Sequence, residues 1–284
     1  MQKVGIVTDS LACLTKEIAA QYEIGIVPLN FWSGGKIYKD WVDVTPAEAY
    51  ELFLKDPKSF KTSAASPEDF LKAYREASQQ TGNILCITVS ARLSAVYNSA
   101  QRAKEQAKTE LPQTSIEIID SQTATAAEGF VALAAARAAE EENDLAEVIN
   151  AAEEMRSKVS LIAIMETIRH VYRTGRILKM AAIAGSMLNI TPVFTISSGV
   201  PRFMGAVRNK ERGINRMLKV MRDKVGTNPA HIAVMHVYAP DKAEKLKELV
   251  SSEFNCAELW ITEFSPVMGY ACGTGTLGLA FYKE

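Results

Sequence analysis

The chain has 284 residues, with 32 Lys and Arg against 33 Asp and Glu, a net charge of −1. That balance supplies no long-range pull toward nucleic acid or an anionic membrane surface. Hydrophobic residues make up 48% and charged residues 23%, which excludes a disordered chain, a collagen and a small disulfide scaffold, and leaves room for one large domain or two modest ones.

Taken in chain order, Val4-Gly5-Ile6-Val7 is a short apolar run that ends in Thr8-Asp9-Ser10 and is followed by a helical pattern at 15–21. A buried strand feeding a helix has this form. A second β-rich run covers 24–31, Gly34-Gly35 reads as a turn, and Thr45-Pro46-Ala47-Glu48 joins a capping box to a Pro in the first helical turn. Ser66-Pro67-Glu68-Asp69 repeats that grammar, and Gly82 stops the helix ahead of a strand at 84–89. A helix at about 94–110, a break at Pro112, a strand at 116–119 and an Ala-rich helix at 126–142 complete the alternation. Regular β/α alternation predicts a three-layer α/β domain, a parallel sheet with helices on both faces.

A helix from Asp144 to about Lys158 closes that region, and the rhythm then changes. Strands are expected at 161–165, 190–196, 202–207, 232–237 and 259–264, amphipathic helices at 210–225 and 241–254, and a hairpin turn at Ser197-Ser198-Gly199. The reading is an N-terminal α/β domain over 1–159 and a C-terminal α+β domain over 160–284. Cys13, Cys86, Cys256 and Cys272 follow no paired spacing and the chain opens without an apolar leader, which points to a reducing cytoplasm. The most apolar stretch, 181–196, is interrupted by Ser186, Asn189, Thr191 and Pro192 and is too short to span a membrane.

Hydroxyls and carboxylates cluster at strand exits: Thr8-Asp9-Ser10, Thr62-Ser63, Ser90 with Ser94, and Asp120-Ser121. In an open parallel sheet the carboxyl ends of the strands line the ligand crevice, and helix N-termini there favour an anion. The same residue types are the preferred helix caps whether or not a ligand binds. One reading is therefore an enzyme acting on a small anionic metabolite, with Asp9 or Asp120 as base. A Ser-His-Asp hydrolase and a metal site are poorly supported, because no GxSxG is present and His170, His231 and His236 lack ligand spacing. The Gly-rich stretch from Gly269 to Gly275 has no P-loop lysine and reads as a turn and strand entry. Met165, Ile168, Ile177, Met180, Ile183, Met187, Leu188, Ile190 and Phe194 are first of all core candidates. If some line a tunnel, a buried acyl chain of ~15 methylenes gains roughly 12 kcal/mol before binding costs, at about 0.8 kcal/mol each.

Seven segments together resemble the DegV family of bacterial fatty-acid-binding proteins. They are Val7-Thr8-Asp9-Ser10, Lys61-Thr62-Ser63 with Ser66-Pro67, Ser90 to Tyr97 with Ser99-Ala100, Asp120-Ser121, Thr174-Gly175-Arg176-Ile177, Leu188-Asn189-Ile190 with Pro192, and Gly273-Thr274-Gly275-Thr276-Leu277-Gly278. The resemblance spans nearly the whole chain. It implies a palmitate-like fatty acid buried at the domain interface, with its carboxyl group held by Thr62 and Ser94 and with Ser10, Ser63, Ser121, Gly269 and Ala271 as neighbours. It further implies a partner resembling dihydroxyacetone kinases, which makes the acyl phosphate for phospholipid metabolism, so that this chain is a carrier with no catalytic residue, metal or cofactor of its own. Arg176, Arg202 and Arg208 are the cations available to a phosphate or an acidic partner. The chain departs from the family pattern at Ala91, Ala95 and Val96, where a second Ser, a Gly and a Thr are usual, at Ala271 where a His is common, at Thr274 where a Pro is common, and at Thr191 where a Lys is common. A lipid sensor without a kinase partner is a further reading that the lost His position allows.

Overall fold

The computed structural model describes residues 4–166 and 190–284. The first strands and helices are β1 (Gly5–Asp9), α1 (Lys16–Gln21), β2 (Gly25–Val27), β3 (Asn30–Ser33), β4 (Lys36–Lys39), α2 (Pro46–Lys55), β5 (Lys61–Ser63) and α3 (Pro67–Ser78). They are followed by β6 (Asn83–Thr88), α4 (Val96–Glu110), β7 (Ser115–Asp120), α5 (Ala126–Glu140) and α6 (Leu145–Lys158). A four-stranded sheet runs in the order β2-β1-β6-β7, with every pairing parallel. Alternation along the strands sends Val7, Ile84 and Cys86 to one face, against Leu71 and Tyr74 of α3 and Ala100 and Ala103 of α4. Ile6, Leu85 and Ile87 go to the other face, against Val131 and Ala135 of α5 and Val148 and Ala152 of α6. Each strand is buried on both faces, and three layers result.

The second sheet is built from β8 (Ser160–Ile164), β9 (Thr191–Ser197), β10 (Val200–Val207), β11 (Ala230–His236), β12 (Cys256–Glu263) and β13 (Leu277–Lys283). Its order is β10-β9-β8-β13-β11-β12, antiparallel except for β11 with β12. The helices α7 (Lys210–Val225) and α8 (Pro240–Glu253) cover one face through Met217, Met221, Leu246 and Val250. Leu161, Ala233, Met235 and Ala280 on the opposite face pack against Ala126, Phe130 and Leu133 of α5. α5 therefore lies between the two sheets, with 12 of its 15 residues buried.

Several elements follow directly from local chemistry. Thr45, Ser66 and Asp144 each close a capping box, with Pro in the first turn after Thr45 and Ser66. Ser198 (φ 51°) and Gly199 (φ 77°) form the two-residue turn between β9 and β10, and Gly34 and Gly35 do the same between β3 and β4. Both turns carry positive φ at their two central positions, as a tight hairpin requires.

Three expectations need correction. The run 24–31 is two strands in two sheets: Pro28 separates β2 from β3, which turns away to form a three-stranded antiparallel sheet in the order β4-β3-β5. Proline brings no N–H for the parallel ladder, so pairing stops there. The helix expected from Ser94 begins at Val96, with no side-chain cap, which leaves Ser94 in the preceding loop. The turn expected at Gly269 to Gly275 starts as a helix, α9 (Pro266–Cys272), capped by Ser265 with Pro in its first turn. Thr174 to Ile177, Arg176, His170, Ile168, Met180, Ile183, Met187, Leu188 and Asn189 lie outside the described residues.

Gly129 shows how close α5 comes to the first strand's exit: a Cβ there would lie 2.5 Å from the Ala12 carbonyl oxygen. Alanine gains about 1 kcal/mol over glycine in helix propensity. Overpacking against a backbone atom costs about 1–3 kcal/mol, and the clash prevails. Gly129→Ala is expected to lower stability by up to about 2 kcal/mol in urea unfolding, the reverse of an ordinary exposed helical glycine.

Candidate functional site

The strand exits of the parallel sheet do converge, but their polar groups serve the backbone. Asp9 is fully buried, and its Oδ1 accepts the Leu11 N–H and its Oδ2 the Val89 N–H, each at 2.9 Å. It thereby ties the β1 exit to the β6 exit. Asp120 Oδ1 accepts the N–H groups of Ala91 (3.2 Å) and Gln122 (2.8 Å). Ser10 Oγ accepts from the Leu29 N–H, Ser121 Oγ donates to the Thr123 carbonyl, and Ser63 Oγ donates to the Ala64 carbonyl. Ser90 Oγ donates to the Gly199 carbonyl at 2.8 Å, and Arg92 donates to the Ser198 carbonyl at 3.1 Å. These last two bonds clamp the loop after β6 onto the β9–β10 hairpin.

Thr62 and Ser94 behave differently. Both are half-buried, and neither hydroxyl is engaged by another described residue. An apolar cavity of about 70 Å³ lies between the parallel-sheet half and the second sheet, with Leu93, the residue before Ser94, on its wall. Leu93 and Thr125 close it from one side, Met165, Phe194 and Ile196 from the sheet, and Met268, Ala271 and Cys272 of α9 from the end. Two residues before Thr62, the Phe60 ring stacks on Tyr270 of α9 at 5.5 Å, and Phe60, Leu93, Met268 and Tyr270 belong to one packed cluster. α9 is anchored from the N-terminal half, because Tyr50 Oη donates to the Phe264 carbonyl at 2.6 Å and Ser265 Oγ donates to Asp40. Gly269 faces the Tyr50 hydroxyl, where a Cβ has no room.

Of the named residues, then, Ala271 lines the cavity, Ser94 follows the lining residue Leu93 in the chain, Gly269 lies in α9, and Thr62 is not among the lining residues. Ser10 and Ser121 are buried at strand exits with their hydroxyls already bonded. Arg202, on the edge strand β10, and Arg208, just after it, are exposed and form no ion pair among the described residues. Among the described residues, no group of three or more His, Cys, Asp and Glu is placed to hold a metal ion. No helix there is long and apolar enough to cross a membrane.

A feature the motif analysis missed is a set of three fully buried carboxyls, Asp9, Asp40 and Glu128. Thr8 Oγ1 donates to Glu128 Oε1 at 3.4 Å, while Glu128 Oε2 and Asp40 Oδ1 have no partner. Burial pushes Asp9 up to about 6 and Asp40 up to about 7. Burial, reinforced by the Asp9 charge, raises Glu128 well above the usual carboxylate range. The available signal was Glu128 itself, a single acid inside the run Thr125-Ala126-Ala127-Glu128-Gly129-Phe130.

Comparison with known proteins agrees with this architecture. Residues 3–284 match the family model described as "Uncharacterised protein, DegV family". The chain belongs to the DegV family. A DegV domain-containing protein of Clostridium acetobutylicum is 30% identical over 282 residues, covering 99% of this chain and 98% of its own. A fatty-acid-binding DegV family protein from Thermus thermophilus superposes with a TM-score of 0.90 at 28% identity, over 100% of both chains. A stearic-acid-binding protein from Eubacterium ventriosum gives 0.87 at 25% identity, over 100% of this chain and 98% of its own. In this DegV chain, the parallel sheet and the second, mixed sheet reproduce the architecture of those structures.

The buried carboxyls set a pH dependence. The folded protein holds the Asp9 and Asp40 protons up to about 6 and about 7, whereas unfolded carboxyls release theirs near ~4. Their contribution to stability is thus present in acid and lost as the pH rises through the folded values. His236, held down at about 4 by burial, acts in the opposite sense, but only below the unfolded value of ~6.5. Between about pH 6.5 and about pH 7.5 the carboxyls decide the sign. The melting temperature followed by circular dichroism is expected to fall across that window, and Asp40→Asn to flatten the decline.

Proposed function

We propose that this protein binds a long-chain fatty acid, with the acyl chain between the two sheets and the carboxyl group on Thr62 and Ser94. The observation that carries the reading is an apolar cavity at the junction of the two sheets, with Leu93 on its wall and the half-buried hydroxyl of the next residue, Ser94, engaged by no other described residue. Fatty-acid binding by the Thermus thermophilus and Eubacterium ventriosum proteins, which share the fold over their full length, supports it.

The energetics divide the labour. Roughly 15 methylenes offer about 12 kcal/mol, while a hydrogen bond to a charged group is worth about 1.5–3 kcal/mol. The chain supplies affinity and the hydroxyls supply orientation. The cavity of about 70 Å³ is smaller than the ~300 Å³ at which ligand pockets usually begin, so the lipid enters by displacing wall side chains. Met165 and Met268 are suited to this, being unbranched and adaptable. Ala271 adds only a methyl group to the wall, so head-group fixation rests on Thr62 and Ser94.

We further propose that the half-exposed carboxyl end is offered to a partner kinase for acyl-phosphate formation, the chain itself being a carrier and no enzyme. Arg202 and Arg208, exposed and free of carboxylates among the described residues, are the cations that would meet the phosphate or an acidic partner surface.

Native mass spectrometry of the purified protein should show an excess of about 250–300 Da, a ligand of the usual small-molecule size, that extracts as a fatty acid. Absence of lipid, together with no binding of a fluorescent fatty acid, would refute the proposal. Removing both hydroxyls by Thr62→Ala with Ser94→Ala should weaken binding between about tenfold and about a hundredfold per lost bond, less where water substitutes. Ala271→Trp, which fills the cavity, should abolish lipid retention with both hydroxyls intact.

A further inference from the structure

A second cavity, of about 380 Å³, opens at the end of the second sheet where β8 begins and β9 finishes. Its wall is completed by the loop after β7, the end of α6 and the last turns of α7. It meets the apolar cavity only through Leu161, Thr195 and Ile196. Its size is that of a small-molecule pocket, which usually begins at ~300 Å³.

The charge on its wall is one-sided. Arg156 of α6 and Lys224 of α7 line it, and no Asp or Glu among the described residues does. Arg156 is held in place by the Asp120 carbonyl and by Glu153, each at 3.2 Å. Glu153 is exposed, one turn back on the same helix, and such a surface pair contributes little. Lys224 donates to Ser160 Oγ at 2.7 Å and forms no ion pair among the described residues. Both cations sit in the last turn of their helices, where the dipole end sets about half a negative charge against the full positive charge of each side chain. The cavity therefore stays positive.

Neutral polar groups accompany the cations. Thr123 is only 7% exposed, yet its hydroxyl bonds no other described residue. A buried hydroxyl ordinarily finds a partner. This one is not sealed in the interior, and the space it opens on is the cavity that Thr123 lines. Gln122, Ser197 and Ser198, on the same wall, also have side chains that bond no described residue.

Two cations on separate helices, with hydroxyl and amide groups around them, match a tetrahedral dianion whose oxygens point in several directions. A carboxylate, with two oxygens in one plane, would satisfy one cation and leave the other. A phosphomonoester carries about −1.5 to −2 charge at pH 7. The remaining hydroxyl and amide groups suit a hydroxylated body, and the hydrocarbon of Leu161, Val220 and Phe281 closes the floor.

We propose that this cavity is a second ligand site, for a small phosphomonoester with a hydroxylated body such as a sugar. Arg156 and Lys224 donate to the phosphate, and Thr123, Gln122 and Ser197 meet the hydroxyls of the body. The site is separate from the lipid-binding reading and does not depend on it.

The test uses ribose 5-phosphate as the probe and ribose as its uncharged counterpart, each titrated calorimetrically into the full chain at ~0.15 M salt, where loose surface attraction is largely screened. Ribose 5-phosphate is expected to bind saturably with a Kd below about 1 mM, and ribose to show no comparable binding. Lys224→Gln and Arg156→Gln should each weaken binding by at least about tenfold, the scale of a charge-assisted hydrogen bond. Thr123→Val keeps the shape and should weaken it by about two- to tenfold. Ser157→Trp fills the cavity with both cations intact and should abolish binding. Ser157 and Lys224 are exposed, so their variants keep the test decisive if Arg156→Gln fails to fold. Ala271→Trp, which fills the apolar cavity, should leave ribose 5-phosphate binding unchanged.

Ribose binding as tightly as its phosphate, binding that survives Ser157→Trp, or binding lost in Ala271→Trp would overturn the proposal. So would a response only above about 1 mM, the mark of an adventitious ion only. Tighter binding of succinate than of ribose 5-phosphate would overturn the assignment to a phosphomonoester.

Discussion

The structure depends on one helix that has almost no free surface. α5 carries Ala126, Ala127 and Phe130 toward the second sheet and Val131, Ala132 and Ala135 toward the parallel sheet. A helix buried all round has to be apolar all round, and small side chains let two sheets approach it from both sides. Its one aromatic residue is Phe130, whose ring meets Trp260 at 5.6 Å and Tyr282 at 5.1 Å. At its other end, Arg137 bonds Glu258 at 2.9 Å and lies over the Tyr22 ring, which ties the edge of the second sheet to the first half of the chain. Because the helix is sealed, Glu128 in its first turn is sealed with it, and the local charge balance is set by protons rather than by cations.

The same packing separates binding chemistry from catalytic chemistry. A strand-end crevice rich in Asp, Ser and Thr suits an anionic substrate in principle. Here Asp9, Asp120 and Ser90 have their acceptors and donors occupied by loop backbone, as a fold with many strand exits in one place demands. Groups so engaged hold geometry, whereas the Thr62 and Ser94 hydroxyls are engaged by no other described residue.

The junction of the halves also explains why α9 occupies a critical position. Its cap, Ser265, is bonded to Asp40, the preceding Phe264 carbonyl is bonded to Tyr50, and its last turn supplies Ala271 and Cys272 to the cavity wall. A short helix of seven residues has little stability of its own. Contacts from residues more than two hundred positions earlier hold it in place, so the wall of the cavity is built by the first fifth of the chain as much as by the last.

Much of this was legible in the residues. Capping boxes at Thr45, Ser66 and Asp144, the hairpin at Ser198-Gly199 and the alternation of short apolar runs with helices gave the three-layer half and most of the second sheet, because caps, turns and periodicity are local. The motif resemblance singled out Thr62, Ser94 and Ala271, of which Ala271 lies in the wall of the apolar cavity. Local pattern did not reveal that Pro28 divides one β run between two sheets, that Gly269 to Cys272 coil into a helix, or that Asp9, Asp40 and Glu128 share an interior. Those outcomes turn on which distant segment supplies the missing partner: Leu29 finds Ser10, Ser265 finds Asp40, and Val89 finds Asp9. Sequence by itself determined the elements and the chemistry available to the chain. The tertiary structure alone decided which polar groups were left without partners, since satisfaction of a buried donor or acceptor is a property of the packed whole.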